Sequence, residues 1–274
     1  MPEPARVAIS DFAIRDCSKC RRRKLAAPVA AIALFLTAAS TPLQMLSPPS
    51  VSDLIAAHVK AIGGSDRLAA TATVLSVGIL NDHGTLHPMY VDRKRPNLLR
   101  VRMFHGGDLV FSEVYNGATS WEGAPGKEKC PPSAAATQAT AHAAQQFDDA
   151  LLSAQAAGAA IAYVAREQLG GRSVYHLEAK APDGMQTTIY LDAKTYLLDR
   201  VRNRRALHPG EPVRTIETVF DDYRRARGAQ ILVPFRELER DVDTGDILTL
   251  SRTDWIEFGA PLSDSAFANP ASCS

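Results

Sequence analysis

Cysteine is scarce in this sequence: four in 274 residues. That excludes a small scaffold held together by dense disulfides. Aromatic residues contribute only 7%, and neither charge sign dominates, with 31 Lys and Arg against 30 Asp and Glu. A net charge of +1 excludes a dedicated nucleic-acid binder, whose affinity rests on neutralising phosphates. Also missing are G-x-S-x-G, H-E-x-x-H, a P-loop and G-x-G-x-x-G. With them go the usual signals of acyl transfer, zinc hydrolysis and nucleotide binding. What remains is an ordinary globular composition, 46% hydrophobic, in a chain long enough to bury a substantial core.

The charge is unevenly placed. Residues 1–50 hold seven basic and three acidic side chains, which leaves 24 basic and 27 acidic in the rest. Arg21-Arg22-Arg23-Lys24 stands directly before the uncharged apolar residues 25–39, and small residues follow. That order is the layout of a secretory signal. The run is shorter than the ~20 residues of a membrane-spanning helix, and it contains Pro28. A signal cleaved after Ala39 or Ser40 is therefore read in preference to a retained anchor. The expected organisation is a leader over residues 1–40, a Pro/Ser-rich linker over 41–50 and one domain over 51–274. Cys17 and Cys20 form a CxxC with no second pair, so no zinc site is expected from them. No cysteine closely follows the apolar run, so the acceptor for N-terminal lipidation is missing. Cys130, in a Pro-rich loop, and Cys273, next to last, remain for the exported body. In an oxidising compartment these two either pair, tethering the C-terminal tail, or stay free.

Val51, Leu54, Ile55, Val59 and Ile62 recur at helical spacing, with Ser52 or Asp53 available as a cap and Gly63-Gly64 as a stop. From Ala72 onward the period becomes two. Leu99, Val101 and Met103 alternate with Arg100 and Arg102; Tyr175, Leu177 and Ala179 with His176 and Glu178; Ile189 and Leu191 with Tyr190 and Asp192. Turn signals fall at Asn81-Asp82, Gly106-Gly107, Asn116-Gly117, Gly170-Gly171, Asp183-Gly184, Pro209-Gly210 and Thr244-Gly245. The pattern predicts a mainly β fold with helices (α+β), an antiparallel meander whose single apolar face must be covered. The candidate cover is the Ala-rich stretch 133–157, whose bulky apolar side chains are Phe147, Leu151 and Leu152. It reads either as a plain surface helix or as a loosely held, movable lid.

Few residues offer chemistry. His83 and His87 lie in a turn without further ligands at metal spacing, so no metal is expected. Residues 241–246 look like a calcium loop but lack its closing Glu, and read as a hairpin. Asp221 and Asp222 are adjacent on a strand and so point to opposite faces. Arg200, Arg202 and Arg204 read as a solvated strand face. An enzyme would have to rely on Asp222, Tyr223 or His176, which form no catalytic constellation. No enzymatic activity and no cofactor are expected.

Six segments, in order, resemble the bacterial outer-membrane lipoprotein-sorting proteins, the LolA/LolB-like family. Arg95-Pro96-Asn97-Leu98 is similar to that family's R-P-N-L/F between two strands. Tyr115-Asn116-Gly117, with Trp121, resembles its Y-D-G-x-x-x-W hairpin. Phe147-Asp148-Asp149-Ala150-Leu151-Leu152 falls where the family has a helix over the barrel mouth. Leu191-Asp192, with Thr195 and Leu197, resembles an L-D-x-x-T-x-L turn. Asp222-Tyr223 through Pro234 resembles a stretch of the longer members, and Phe267 with Pro270 matches an F-x-x-P ending.

The resemblance implies a curved antiparallel sheet forming an unclosed β-barrel with a helical lid. It implies acyl-chain binding in an apolar interior, to which Leu99, Val101, Met103, Trp121, Tyr175, Leu177, Ile189 and Leu191 are assigned. Phe147, Leu151 and Leu152 become the lid helix, and Arg95 its latch. A guanidinium's rigid fork of donors suits that role. The plainer alternative is that Arg95 ends a strand in solvent, with Pro96 marking an edge. The function so implied is that of a monomeric periplasmic carrier. It binds an acylated lipoprotein or lipid for sorting to the outer membrane, with inner- or outer-membrane partner proteins and no nucleic acid. The alternative is a non-transporting envelope sensor or partner-binding module on the same fold.

Overall fold

Helix α1 (Val51–Ile62) begins at Ser50, whose Oγ accepts from the Asp53 N–H at 3.1 Å and donates to Asp53 Oδ2 at 2.6 Å. Ser50 takes the place of the expected Ser52 or Asp53 as cap, because its hydroxyl satisfies the otherwise free Asp53 N–H. The helix stops at Gly63, with φ +144, and a short α2 (Ser65–Ala69) follows. The structure, a computed structural model, describes residues 48–206, 211–270 and Cys273. The basic run, the apolar stretch, Cys17, Cys20 and the Pro209-Gly210 turn lie outside the described residues.

Among the described residues, twelve strands form one sheet. They are β1 (Thr73–Asp82), β2 (Thr85–Lys94), β3 (Leu98–His105), β4 (Asp108–Tyr115), β5 (Ser120–Gly123), β6 (Ala160–Leu169), β7 (Arg172–Lys180), β8 (Gln186–Asp192), β9 (Leu198–Arg205), β10 (Arg214–Arg225), β11 (Leu232–Asp241) and β12 (Ile247–Phe258). The order is β5-β4-β3-β2-β1-β12-β11-β10-β9-β8-β7-β6. Two antiparallel meanders are thus joined where the first strand pairs with the last. At that seam the register shifts between Val77 and Gly78. A Cβ on Gly78 would fall 2.3 Å from the Arg252 carbonyl oxygen, so only glycine permits the approach. The two end strands, β5 and β6, do not pair with each other, and the sheet is an unclosed barrel.

The chain linking those two ends forms α3 (Ala134–Gln145) and α4 (Ala150–Ala156). The expected cover over 133–157 is therefore two helices. Asp149 divides them, because its Oδ1 caps α4 by accepting from the Leu151 and Leu152 N–H groups. All three core clusters lie on one sheet face. Leu177, Ala179, Ile189, Leu191 and Val201 cluster with Leu54 of α1 and Leu151 of α4. Val91 and Leu99 cluster with Ala144 of α3. Val74, Phe235 and Ile256 cluster with Phe147, between the helices. Each fully buried aliphatic side chain there contributes roughly 1.5–3 kcal/mol.

The opposite face is ionic. Asp92 is bonded by Arg100 and Arg102. Glu217, which is wholly buried, is bonded by Arg200, Arg202 and Arg240 across three neighbouring strands. The solvated-face reading of Arg200 and Arg202 is corrected accordingly: Glu217 of the neighbouring β10 binds both, Asp199 of the same strand binds Arg200, and the Tyr190 hydroxyl of β8 accepts from Arg202. The C-terminal segment also lies on this side. A 3-10 turn (Asp264–Phe267) buries Phe267, and Cys130 and Cys273 form a disulfide with Cα atoms 5.4 Å apart. No helix among the described residues is long and apolar enough to cross a membrane.

Candidate functional site: the helix clamp and the concave face

Two consecutive carboxylates open α4, and each is held from elsewhere. Arg95, in the β2–β3 connection, donates from Nη2 to both oxygens of Asp148, at 2.7 and 2.9 Å. Its Nε donates to the Thr71 carbonyl at 2.9 Å, and its guanidinium lies 4.0 Å over the Phe147 ring. One side chain therefore fixes the α2–β1 connection, the ring before α4 and the carboxylate beside it. Such a fork–carboxylate pair is shorter and stronger than a neutral hydrogen bond. Arg95 is thus bonded to the segment that opens α4 and does not end its strand free in solvent.

Asp149 is held by His58 of α1. The His58 ring is 1% exposed. Its Nε2 lies 2.7 Å from Asp149 Oδ2, and its Nδ1 lies 2.7 Å from the Tyr196 carbonyl. A carbonyl and an ionised, N-capping carboxylate are both acceptors. Both ring nitrogens must therefore donate, which only imidazolium can do. Burial alone would depress the His58 pKa; the Asp149 charge and the two hydrogen bonds outweigh it, and the net direction is upward.

The Tyr196 carbonyl is aimed at His58 by the turn before it. Asp192 Oδ1 accepts from the Lys194 N–H, the Thr195 N–H and the Thr195 hydroxyl. Tyr196 then adopts φ +60, and its ring stacks on Tyr175 at 5.8 Å. Burial raises the Asp192 pKa, but these hydrogen bonds together hold it below the usual carboxylate range. Tyr223 Oη donates to the Leu198 carbonyl at 2.7 Å, and burial pushes its phenol pKa upward. Tyr223 thus has a structural bond here, and Asp222 pairs with Arg224 on the surface.

Seven of the eight residues assigned to the interior share the helix-facing side. Leu177, Ile189 and Leu191 are fully buried against Leu54 and Leu151, with Tyr175 at their margin. Leu99 and Val101 lie near α3, and Met103 is opposite Met89. Trp121 is the exception and is corrected. It pairs with Val114, while Glu113, the next residue along, turns towards α3 and accepts from the Thr140 hydroxyl. Strand alternation therefore puts Trp121 on the convex face. There its Nε1 donates to the Ala268 carbonyl at 3.3 Å.

His58, Asp148 and Asp149 were not singled out from sequence as clamp residues. A signal existed for His58, which lies four residues after Leu54 and four before Ile62, within the buried stripe of α1. Nothing local marked its partners, which are 91 and 138 residues away.

The geometry defines a class: an unclosed antiparallel barrel whose concave face carries helices. That is the fold of the LolA superfamily. A LolA superfamily protein from Nitrosomonas europaea superposes with a TM-score of 0.53 at 12% identity, over 78% of this chain and 96% of that one. A DUF1329 family protein from Desulfovibrio piger does so with a TM-score of 0.53 at 13% identity, over 80% of this chain and 97% of that one. No family model matches the sequence. No curated protein matches it either.

Proposed function

We propose that this protein is a non-catalytic periplasmic carrier. It takes an acyl chain of a lipid or lipoprotein against the concave face of the sheet, for sorting to the outer membrane. The observation that carries the reading is the fastening of α4. Its N-terminus is held at the concave face by two polar clamps, Arg95–Asp148 and His58–Asp149. Beneath it Leu177, Ile189 and Leu191 form an apolar floor. Release of the clamps would uncover that floor, and burying an acyl chain there returns about 0.8 kcal/mol per CH₂. The basic-apolar leader and the domain spanning residues 51–274 belong to the same reading.

The test is direct. Organic-solvent extraction of the purified protein is expected to release fatty-acyl lipid, or the emptied protein to bind a fluorescent fatty acid at micromolar concentration. Absence of both would overturn the carrier. One observation favours a second reading, a partner-binding envelope module: Leu54 and Leu151 already fill the space over Leu177 and Ile189. Crosslinking that recovers a membrane protein from a lipid-empty chain would favour it.

A further inference from the structure

On β2 the odd-numbered residues face the helices, since Val91 clusters with Leu99 and Ala144. From Val91 towards the β1–β2 turn, the same face carries Met89 and then His87. On β3 it runs from Leu99 through Val101 and Met103 to His105. Met89 and Met103 are direct cross-strand partners and the last pair of the β2–β3 ladder. The Cβ atoms of residues so opposed lie about 5 Å apart. Just beyond them the His87 and His105 rings stand 6.1 Å apart between centroids, tilted by 52°. The convex face keeps the same alternation, with Tyr90 and Phe104 meeting there at 5.3 Å. Two imidazoles and two thioethers thus form a two-by-two grid on adjacent strands. His83 alone occupies the turn in which the sequence placed both histidines; His87 belongs to the strand.

The grid has an unfilled demand. His87 Nδ1 is buried without a hydrogen-bond partner among the described residues. Such an atom costs free energy until something pairs with it. A metal ion held between two imidazole nitrogens at ~2.1 Å each sets the ring centroids up to about 6.5 Å apart. The observed 6.1 Å leaves room for one ion. No three His, Cys, Asp or Glu side chains among the described residues gather as a ligand set. Two histidines alone do not make the four-ligand site that zinc takes. What stands beside them is thioether, a soft, uncharged donor that copper(I) accepts and hard cations do not. Phe111 lies opposite Met103, and Met89 packs on the Val91–Leu99 cluster, so the grid is walled with apolar surface. That surrounding suits a singly charged ion among neutral ligands better than a doubly charged one.

We propose that His87, His105, Met89 and Met103 form a copper(I) site, with two imidazole nitrogens and two thioether sulfurs as its donors. The ion enters past His105, which is exposed. Because the β2–β3 ladder stops at Met89 and Met103, the two histidines can close on an ion without breaking it. The site lies towards the hairpin end of β2, away from the Arg95 clamp that follows the strand. It does not depend on the acyl-chain reading, and either stands without the other.

The experiment titrates the full purified chain with copper(I), without oxygen, against a chromogenic copper(I) chelator. Cys17 and Cys20 are first alkylated so that no thiolate competes; Cys130 and Cys273 are already joined. One copper(I) per chain is expected, with copper–sulfur scattering in its X-ray absorption spectrum. Met89→Leu with Met103→Leu, a swap of similar volume, is expected to remove that scattering. It should also weaken copper(I) by at least about tenfold, no less than losing an outer partner of a metal ligand costs. His87→Gln with His105→Gln is expected to abolish binding. Failure of the unmodified chain to bind copper(I) would overturn the site. So would copper bound without a sulfur neighbour, zinc(II) bound as tightly as copper(I), or affinity undiminished in either double variant. The first three outcomes are read on the unmodified sequence, so they decide the matter even where a variant misfolds.

Discussion

Asp148 and Asp149 are neighbours in sequence but are fastened to different parts of the chain, Asp148 to Arg95 and Asp149 to His58. The two clamps differ in environment. His58 is 1% exposed, while the Arg95 and Asp148 side chains are 35% and 20% exposed. Their contributions to stability are accordingly unequal.

Asp149→Ala is expected to cost more stability than Asp148→Ala. The first removes the α4 cap, about 1 kcal/mol, and leaves a buried His58 nitrogen unpartnered, a further 1–3 kcal/mol or so. The second breaks a partly solvated pair worth about 1 kcal/mol or less. Urea unfolding of both variants checks this. Equal losses would contradict the assignment of His58 as the buried clamp.

The clamp at His58 should weaken in alkali. Its folded pKa is raised, so its contribution is complete below the ordinary value of 6.5 and is lost as pH rises through the folded value. Hydrogen exchange of the α4 amides, corrected for intrinsic rates, should therefore lose protection as the pH rises above 6.5 and through the raised folded value. His58→Gln should flatten that dependence. A pH-independent α4 in the unmodified protein would contradict imidazolium at this site.

On the convex face the sign reverses. Burial would raise the Glu217 pKa, but bonds and charges from Arg202, Arg200 and Arg240 bring it below the usual value. Its contribution is therefore present above the ordinary 4.5 and is lost as pH falls through the lowered folded value. Glu217→Gln should destabilise at neutral pH by about 3 kcal/mol or more, since it strands buried arginine charge. It should also blunt the acid transition. An unchanged acid profile would show that other carboxylates govern it.

Leu151→Ala tests whether α4 is fastened by packing as well as by polar bonds. Leu151 is 0% exposed and is the main side chain of α4 in the core cluster. A loss of about 2–5 kcal/mol is expected from transfer and cavity terms. A loss below about 1 kcal/mol would mean the site collapses freely and α4 is only loosely seated.

Local signals in the sequence carried far. The apolar spacing of Val51 to Ile62 marked α1 from end to end, because a helix's pattern and its glycine stop are local. The alternation at Leu99, Leu177 and Ile189 marked the sheet face correctly. Trp121 was misplaced because a motif gives a residue's neighbours and not its strand face. The pairing of β1 with β12 could not be read, because it joins segments with most of the chain between them. The clamp was half legible. Arg95 stood out by its motif, but Asp148, Asp149 and His58 gain their meaning only when three distant segments meet.

The most direct test of acyl binding on the concave face is photocrosslinking with a fatty acid that carries a diazirine along its chain. Peptide mapping should place the label on inward side chains of β7 and β8, among them Leu177, Ile189 and Leu191, and more of it in Arg95→Leu, where the Asp148 clamp is gone. Label confined to outward neighbours such as Glu178 and Tyr190, or no label above that of a denatured control, would contradict the carrier.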